Sequence, residues 1–472
     1  IASQWLGQDV AVEGSSKFWF SVASGRPMLT LKGQVDALAL GAAGSVNIDQ
    51  IEFWLEAIGP LETADIWFSP GLLSTEGTVL QLPRMHLSRS STGWRLLTTE
   101  WDVAAAAGFI ASSGILPGNV SNVLSALAPT GTVESLMLTV ASLQDPTTSW
   151  ESAAVVRNAT TQPFRKVPGL SGVDASITAS EDGARAWVMT NDFGVQLPNV
   201  YDASIDLEKV IGQLSGRWRK GALFLEKGLF SASASDHQAM VQFEIDIPLS
   251  KPALIPLEMR LAAAVNDAPV SARDAYIPYR LPRPAYRWLQ SALPGGNIER
   301  ATFLWHGGFR PFGHPSQTMQ LAAVLSDVEL DYQAGWPVGR FEAARLLMSD
   351  RDLFAVASRG QVADSVVETM DVQLHIGTSE LGLELNAQSA GSPTSLLDTL
   401  RQLPALTAAD SVMRDLKVVG DQPAYARMAM AFDLRDINDT LSLAVDVDVS
   451  GARLESELLD LSATEGGGTL RY

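Results

Sequence analysis

Between Thr440 and Ser450 apolar and polar residues alternate without a break. Leu441, Leu443, Val445, Val447 and Val449 share one face, and Thr440, Ser442, Ala444, Asp446, Asp448 and Ser450 share the other. A period of two predicts a strand with one apolar and one wet side. The pattern recurs. Val241, Phe243, Ile245, Ile247 and Leu249 alternate with Gln242, Glu244 and Asp246. Leu257, Met259, Leu261 and Ala263 alternate with Glu258 and Arg260. Met370, Val372, Leu374 and Ile376 alternate with Asp371, Gln373 and His375. Met428, Met430, Phe432 and Leu434 alternate with Arg427, Ala429, Ala431 and Asp433. One-sided strands fit an antiparallel sheet with a single solvated face, and not the uniformly apolar strands of a parallel α/β sheet.

The first hundred residues read the same way. Phe18, Phe20 and Val22 share a face, as do Leu29, Leu31 and Val35. Further strands are predicted at 50–58, 64–68, 78–88 and 93–101, separated by Gly, Pro, Ser and Asn clusters. Helical spacing replaces alternation at 102–111 and 119–127, with Asp102 and Asn119 as candidate N-caps. Pro129 and Gly131 stop the second helix, and a strand is expected over 133–143. The order helix, Pro/Gly stop, strand returns at 284–293 with a strand at 298–305, and at 395–403 with a strand near 415–419. The unequal spacing makes this a loose echo, with coincidence among Leu-rich helices as the plain alternative. The expectation is a mainly β chain with a few short helices. It falls into three segments: 1–160 with a helical insert, 161–300 ending in the helix at 284–293, and 301–472 with the helix at 395–403.

A length of 472 residues allows two to four domains or one elongated β-structure. At 46% hydrophobic and 18% charged, the chain has ample apolar surface to fold. The formal charge of −19 argues against nucleic acid and against a polybasic membrane patch. With no cysteine, disulfides and thiolate metal sites are excluded, which leans towards an exported bacterial protein. No apolar stretch reaches the roughly 18 residues that span a bilayer. The chain starts at Ile1, and its first residues already read as strand. It is expected to be a fragment whose anchor or export signal lies outside it.

Motifs for chemistry are missing. The histidines are His86, His237, His306, His314 and His375, and none stands in H-E-x-x-H. His306 and His314, flanked by Gly307, Gly308, Gly313 and Pro315, read as loop histidines. There is no G-x-S-x-G elbow, P-loop or G-x-G-x-x-G. Asp446 and Asp448 belong to the solvated face of a strand, and Asp433, Asp436 and Asp439 lack the EF-hand pattern. Asn119, Asn158 and Asn438 head sequons that matter in a eukaryotic secretory setting.

Residues 274–337 carry a recognisable order of elements. They run Asp274-Ala275-Tyr276-Ile277-Pro278, Trp288-Leu289, Gly295-Gly296-Asn297, the strand from Ile298 to Trp305, His306-Gly307, Val328 to Tyr332, and Gly335-Trp336-Pro337. In this the chain resembles the AsmA-like family of bacterial envelope proteins, although Ile277 stands where the family has Leu. The segment from Leu124 to Leu138, and residues 396–406 and 415–470, are also similar to it; the likeness is weakest before residue 90.

The resemblance implies more than alternation permits. The fold would be an elongated, curled antiparallel β-sheet, an open groove continuous over residues 1–472. An N-terminal helix outside this chain would anchor it in the inner membrane. The body would cross the periplasm towards the outer membrane or its lipoproteins. The cargo would be phospholipid, moved without catalysis, cofactor or metal. The alternating apolar residues named above from Val241 to Val449, Leu249 and Ala263 apart, become candidate lining. An ordinary sheet–sheet core is the competing reading of the same side chains. Three other functions stay open: a periplasmic β-sandwich scaffold or adhesin, a polysaccharide-active β-enzyme, and an envelope-protein assembly factor that pairs with exposed strand edges.

Overall fold

The computed structural model describes residues 10–23, 25–40, 46–60, 63, 65–75, 78–90, 93–112, 118–142, 149–165, 167–219, 221–249, 255–277, 283–308, 314, 316–331, 335–377, 381–402, 414–420 and 422–471. The chain is mainly strand, and the pairings are antiparallel. Cα packing groups it into two units. One holds residues 1–232 and 244–256, the other 233–243 and 257–472.

In the first unit neighbouring strands pair mostly in chain order, from Val10–Ala23 to Ile205–Arg219. Helix Val103–Ser112 packs Phe109 on Leu80, beside Ile51, Leu73 and Leu82. Asp102 caps it as expected, its Oδ1 accepting the Ala105 N–H at 2.7 Å. The second helix, Gly118–Leu127, contains Asn119 within its first turn and not at its cap. The strand predicted over 78–88 is two strands, Thr78–Leu82 and Met85–Ser90, parted at Pro83, which has no N–H for a ladder.

In the second unit strands pair from Glu258–Pro269 through Gly295–Gly308, Gln317–Leu330, Gly339–Ser349, Asp352–Val362, Ser365–Ile376, Leu381–Gly391, Ala424–Asp433 and Ser442–Ser456 to Leu461–Arg471. Among the described residues no pairing joins the first of these to the last, so the sheet is open. The strand predicted from Thr440 begins at Ser442. Ile437–Thr440 is a helical turn instead, and the Thr440 hydroxyl accepts the Asp433 N–H at 2.9 Å. His306, expected in a loop, lies in the strand Gly295–Gly308.

Strict alternation fails at one height across four neighbouring strands. Inward positions step by three residues, not two, between Leu325 and Val328, Phe341 and Ala344, Ala357 and Gly360, and Val367 and Met370. Strand register aligns these steps. The preceding two strands take the same step one row away, between Val265 and Ala268 and between Ile298 and Ala301. At these steps Asp267, Asp327 and Arg359 have φ of 53°, 51° and 53°. Left-handed residues of this kind act as bulges do, bending a strand and raising its twist. Aligned from strand to strand, they crease the sheet, and the crease lets one face curve inwards. The first unit has its own bulges at Asn158 and Asp192, φ 47° and 55°. The Asn158 N–H donates to Asp174 Oδ1 at 2.8 Å.

Helices Arg283–Ser291 and Pro393–Arg401 lie against the inward face of the second unit, bringing in Trp288, Leu289, Leu397 and Leu400. The Ser392 hydroxyl caps the second of these, accepting the Ser395 N–H at 3.0 Å. The Arg273 guanidinium holds the end of the first, donating to the carbonyls of Leu293 at 2.6 Å and Leu289 at 3.2 Å. No helix among the described residues is long and apolar enough to cross a membrane.

Candidate functional site

Register turns the alternating residues into rows that cross the strands. In the second unit one row reads Val265, Ala301, Ala323, Leu346, Ala355, Val372, Leu385, Met430, Leu443. The row beside it reads Ala268, Ile298, Leu325, Ala344, Ala357, Met370, Ala387, Met428, Val445. A third reads Ala263, Phe303, Leu321, Met348, Leu353, Leu374, Leu383, Phe432. Every member is apolar.

The candidates from strands Ser365–Ile376, Ala424–Asp433 and Ser442–Ser456 thus meet on one face. Met370, Val372, Leu374, Ile376, Met430, Phe432, Leu443 and Val445 are buried in one cluster, with Met428, Leu434, Leu441 and Val447 packed on it. The Val449 side chain lies outside the described residues. Leu257, Met259 and Leu261 are half-buried, Met259 opposite Gly307 and Leu261 opposite Trp305. Val241, Phe243, Ile245 and Ile247 are half-buried on strand Gln238–Pro248.

Several members of these rows were not among the candidates. Leu381, Leu383 and Leu385 are 0% exposed, the driest side chains of the face. Their signal was present, since they alternate with Gly382, Glu384 and Asn386. Leu353, Ala355 and Ala357 were not legible, because Phe354 and Val356 between them are apolar as well. Leu325 and Ala344 were not, because the crease interrupts their period.

A face this dry is a packed core over most of its width. Beneath helix Arg283–Ser291 an apolar cavity of about 60 Å³ remains, lined by Trp288, Leu289, Leu325, Phe341, Met370 and Val372 among others. That is less than half of the roughly 150 Å³ that accepts a benzene ring. No acyl chain fits there with the helix in place.

The first unit differs. One row there reads Phe18, Leu31, Leu55, Phe68, Met85, Thr98, Leu136, Ala154, Ile177, Ala186, Leu214. A second reads Phe20, Leu29, Ala57, Ile66, Leu87, Leu96, Leu138. Thr98 is the one polar member of the two, and it is satisfied: it accepts from Trp101 Nε1 at 2.5 Å and donates to the Thr99 carbonyl at 3.1 Å. Beyond Thr98, these side chains are half-buried or exposed, with Phe18 at 70% and Phe20 at 66%. The row spans ten strand steps, about 48 Å at about 4.8 Å each.

The opposite face of the first unit is mixed. Its row Trp19, Thr30, Glu56, Trp67, His86, Leu97 carries charge between aromatics, and His86 stacks on Trp67 at 3.8 Å. Ion pairs stand there as well. Glu134 hydrogen-bonds the Arg157 guanidinium at 3.1 Å and raises its pKa, and Glu226 does the same to Arg217. Charged side chains and exposed aromatics share this face, whereas the row from Phe18 to Leu214 carries no charge.

Catalytic geometry is sparse. Among the described residues no group of three or more His, Asp or Glu side chains could hold a metal ion. His237 is the one buried histidine, between Asp236 Oδ1 and the Tyr276 hydroxyl, each at 2.6 Å.

The family profile described as YhdP protein matches residues 66–472. No curated protein and no solved structure matches the chain. The segment that carried the AsmA-like resemblance, and all three apolar rows of the second unit, fall inside the matched span, and the chain belongs to the YhdP family.

Proposed function

We propose that this chain is part of a non-enzymatic conduit for phospholipids, working in the periplasm of a bacterial envelope between the inner and outer membranes. The observation that carries the proposal is the half-open apolar row from Phe18 to Leu214. A phospholipid in water must shield two acyl chains, and exposing both costs on the order of 20 kcal/mol. An unbroken apolar row removes most of that cost at every point along it. The tails of one leaflet are about 15 Å long, half a bilayer core. A row of about 48 Å therefore holds a whole tail wherever the lipid stands. Acyl chains need no directional partner, which agrees with a site of Leu, Ile, Phe, Met and Ala that has no dedicated polar contact.

In this reading the first unit carries the lipid. Ile245 and Ile247 belong to that unit, and Val241, Phe243, Leu257, Met259 and Leu261 give the second unit half-buried apolar side chains of its own. Met370, Val372, Leu374 and their cluster form the wall that keeps the sheet curved. Membership of the YhdP family supports an envelope role.

The test is lipid content. Protein purified from bacteria is expected to yield phospholipid on solvent extraction and mass spectrometry. Ile177→Glu, a carboxylate in the middle of the open row, is expected to remove most of it while the fold persists. Protein free of lipid, or an Ile177→Glu variant loaded like the wild type, would sink the proposal.

A further inference from the structure

A polar recess of about 410 Å³ lies at the hairpin ends of the second unit. Its floor is apolar. Trp305 and Met319 face each other across two strands, and Leu261 stands opposite Trp305. These residues end the same face that holds Phe303 and Leu321 one row further in. The rim is charged, with Asp350, Arg351, Asp352, His314 and His375 around it.

Three details aim this recess at a ligand. The Trp305 Nε1 is buried and has no hydrogen-bond partner. A buried donor without an acceptor costs about 1–3 kcal/mol, so a native structure supplies one. His314 Nδ1 accepts the Ser316 N–H at 3.2 Å, which leaves Nε2 carrying the proton as a second donor. Arg351 brings a guanidinium, the group best matched to phosphate oxygens. Opposite charge lies within the same recess. Asp352 Oδ1 pairs with His375 Nδ1 at 2.6 Å, and Asp350 Oδ1 accepts the Met319 N–H at 2.9 Å.

We infer that this recess seats a zwitterionic phosphate-ester headgroup of the phosphoethanolamine type. Trp305 Nε1, His314 Nε2 and Arg351 take the phosphate oxygens, and the carboxylates of Asp350 and Asp352 take the ammonium. The glycerol end then points over Met319 and Trp305 on to Leu261 and Phe303, half-buried members of the apolar face. The inference rests on the lipid reading above and adds a place where a lipid pauses with its headgroup recognised.

The experiment uses the whole chain and a short-chain phosphatidylethanolamine below its micelle concentration, followed by titration calorimetry. Arg351→Gln is expected to weaken binding about tenfold or more, the worth of a charge-assisted hydrogen bond. Trp305→Phe keeps the ring and removes the N–H, and is expected to weaken binding several-fold. Free phosphoethanolamine should compete at millimolar concentration, and inorganic phosphate, lacking the ammonium, should not. Phosphate competing equally well overturns the zwitterionic assignment. Both variants binding like the wild type overturns the headgroup site and leaves the conduit intact. Wild-type protein that binds no lipid overturns both.

Discussion

Leu385→Ala separates packed core from open lining. Leu385 is 0% exposed and stands between Val372 and Met430 in the ladder. The change removes about three carbons, worth about 2.5 kcal/mol at about 0.8 each. A cavity term adds to this, because the neighbouring side chains are fixed by their own strands and cannot close the gap. The sum is about 3–4 kcal/mol, inside the range of about 2–5 measured for such changes. Ile177→Ala removes a similar volume from the first unit, but Ile177 is half-buried. It should cost about 1 kcal/mol. Urea titrations read by hydrogen-exchange mass spectrometry resolve the two units, using peptides over 365–391 and 169–196. A cost below about 1 kcal/mol for Leu385→Ala would refute the packed-core assignment. An Ile177→Ala cost as large as that of Leu385→Ala would refute the open row.

Two further perturbations address the crease and the acid limb. Asp327 has φ 51° at its bulge, so Asp327→Gly should be neutral or stabilising, while Asp327→Val should cost about 1–2 kcal/mol in urea unfolding. Equal costs for the two would remove the left-handed bulge as the source of the bend. Asp415 accepts hydrogen bonds from the Ser456 hydroxyl and from the Leu458 N–H at 2.9 Å, which lower its pKa. A lowered carboxylate pKa stabilises the fold above its unfolded value, and that share is lost as pH falls through the folded one. Exchange protection of residues 456–461 should therefore fall at acid pH, and Asp415→Asn should flatten that fall; an unchanged acid limb in the variant would count against it.

Much of this protein was written in its periodicity. Alternation located the strands of both units, and the apolar side of Met370–Ile376, Met428–Leu434 and Leu441–Val447 could be named from sequence, because the pleat sends every second side chain the same way. The order of elements over 274–337 gave the family. Leu381, Leu383 and Leu385 were just as legible and were overlooked. Leu325, Val328, Phe341 and Ala344 were hidden, since a bulge shifts the phase by one residue and destroys the period that marks a face.

Which strands lie side by side, and how the sheet bends, belongs to tertiary structure alone. The row from Phe18 to Leu214 comes from eleven separate segments, and no local window holds two of its members at their true spacing of one strand step. Whether an apolar face is filled or open also escapes the sequence. Val372 and Ile177 carry the same signal, an apolar residue between polar neighbours. One is 5% exposed and the other half-open, because curvature and a helix close over Val372, while no described element covers Ile177. Sequence determined which side of each strand avoids water. Distant packing decided whether protein alone, or room for something else, meets that side.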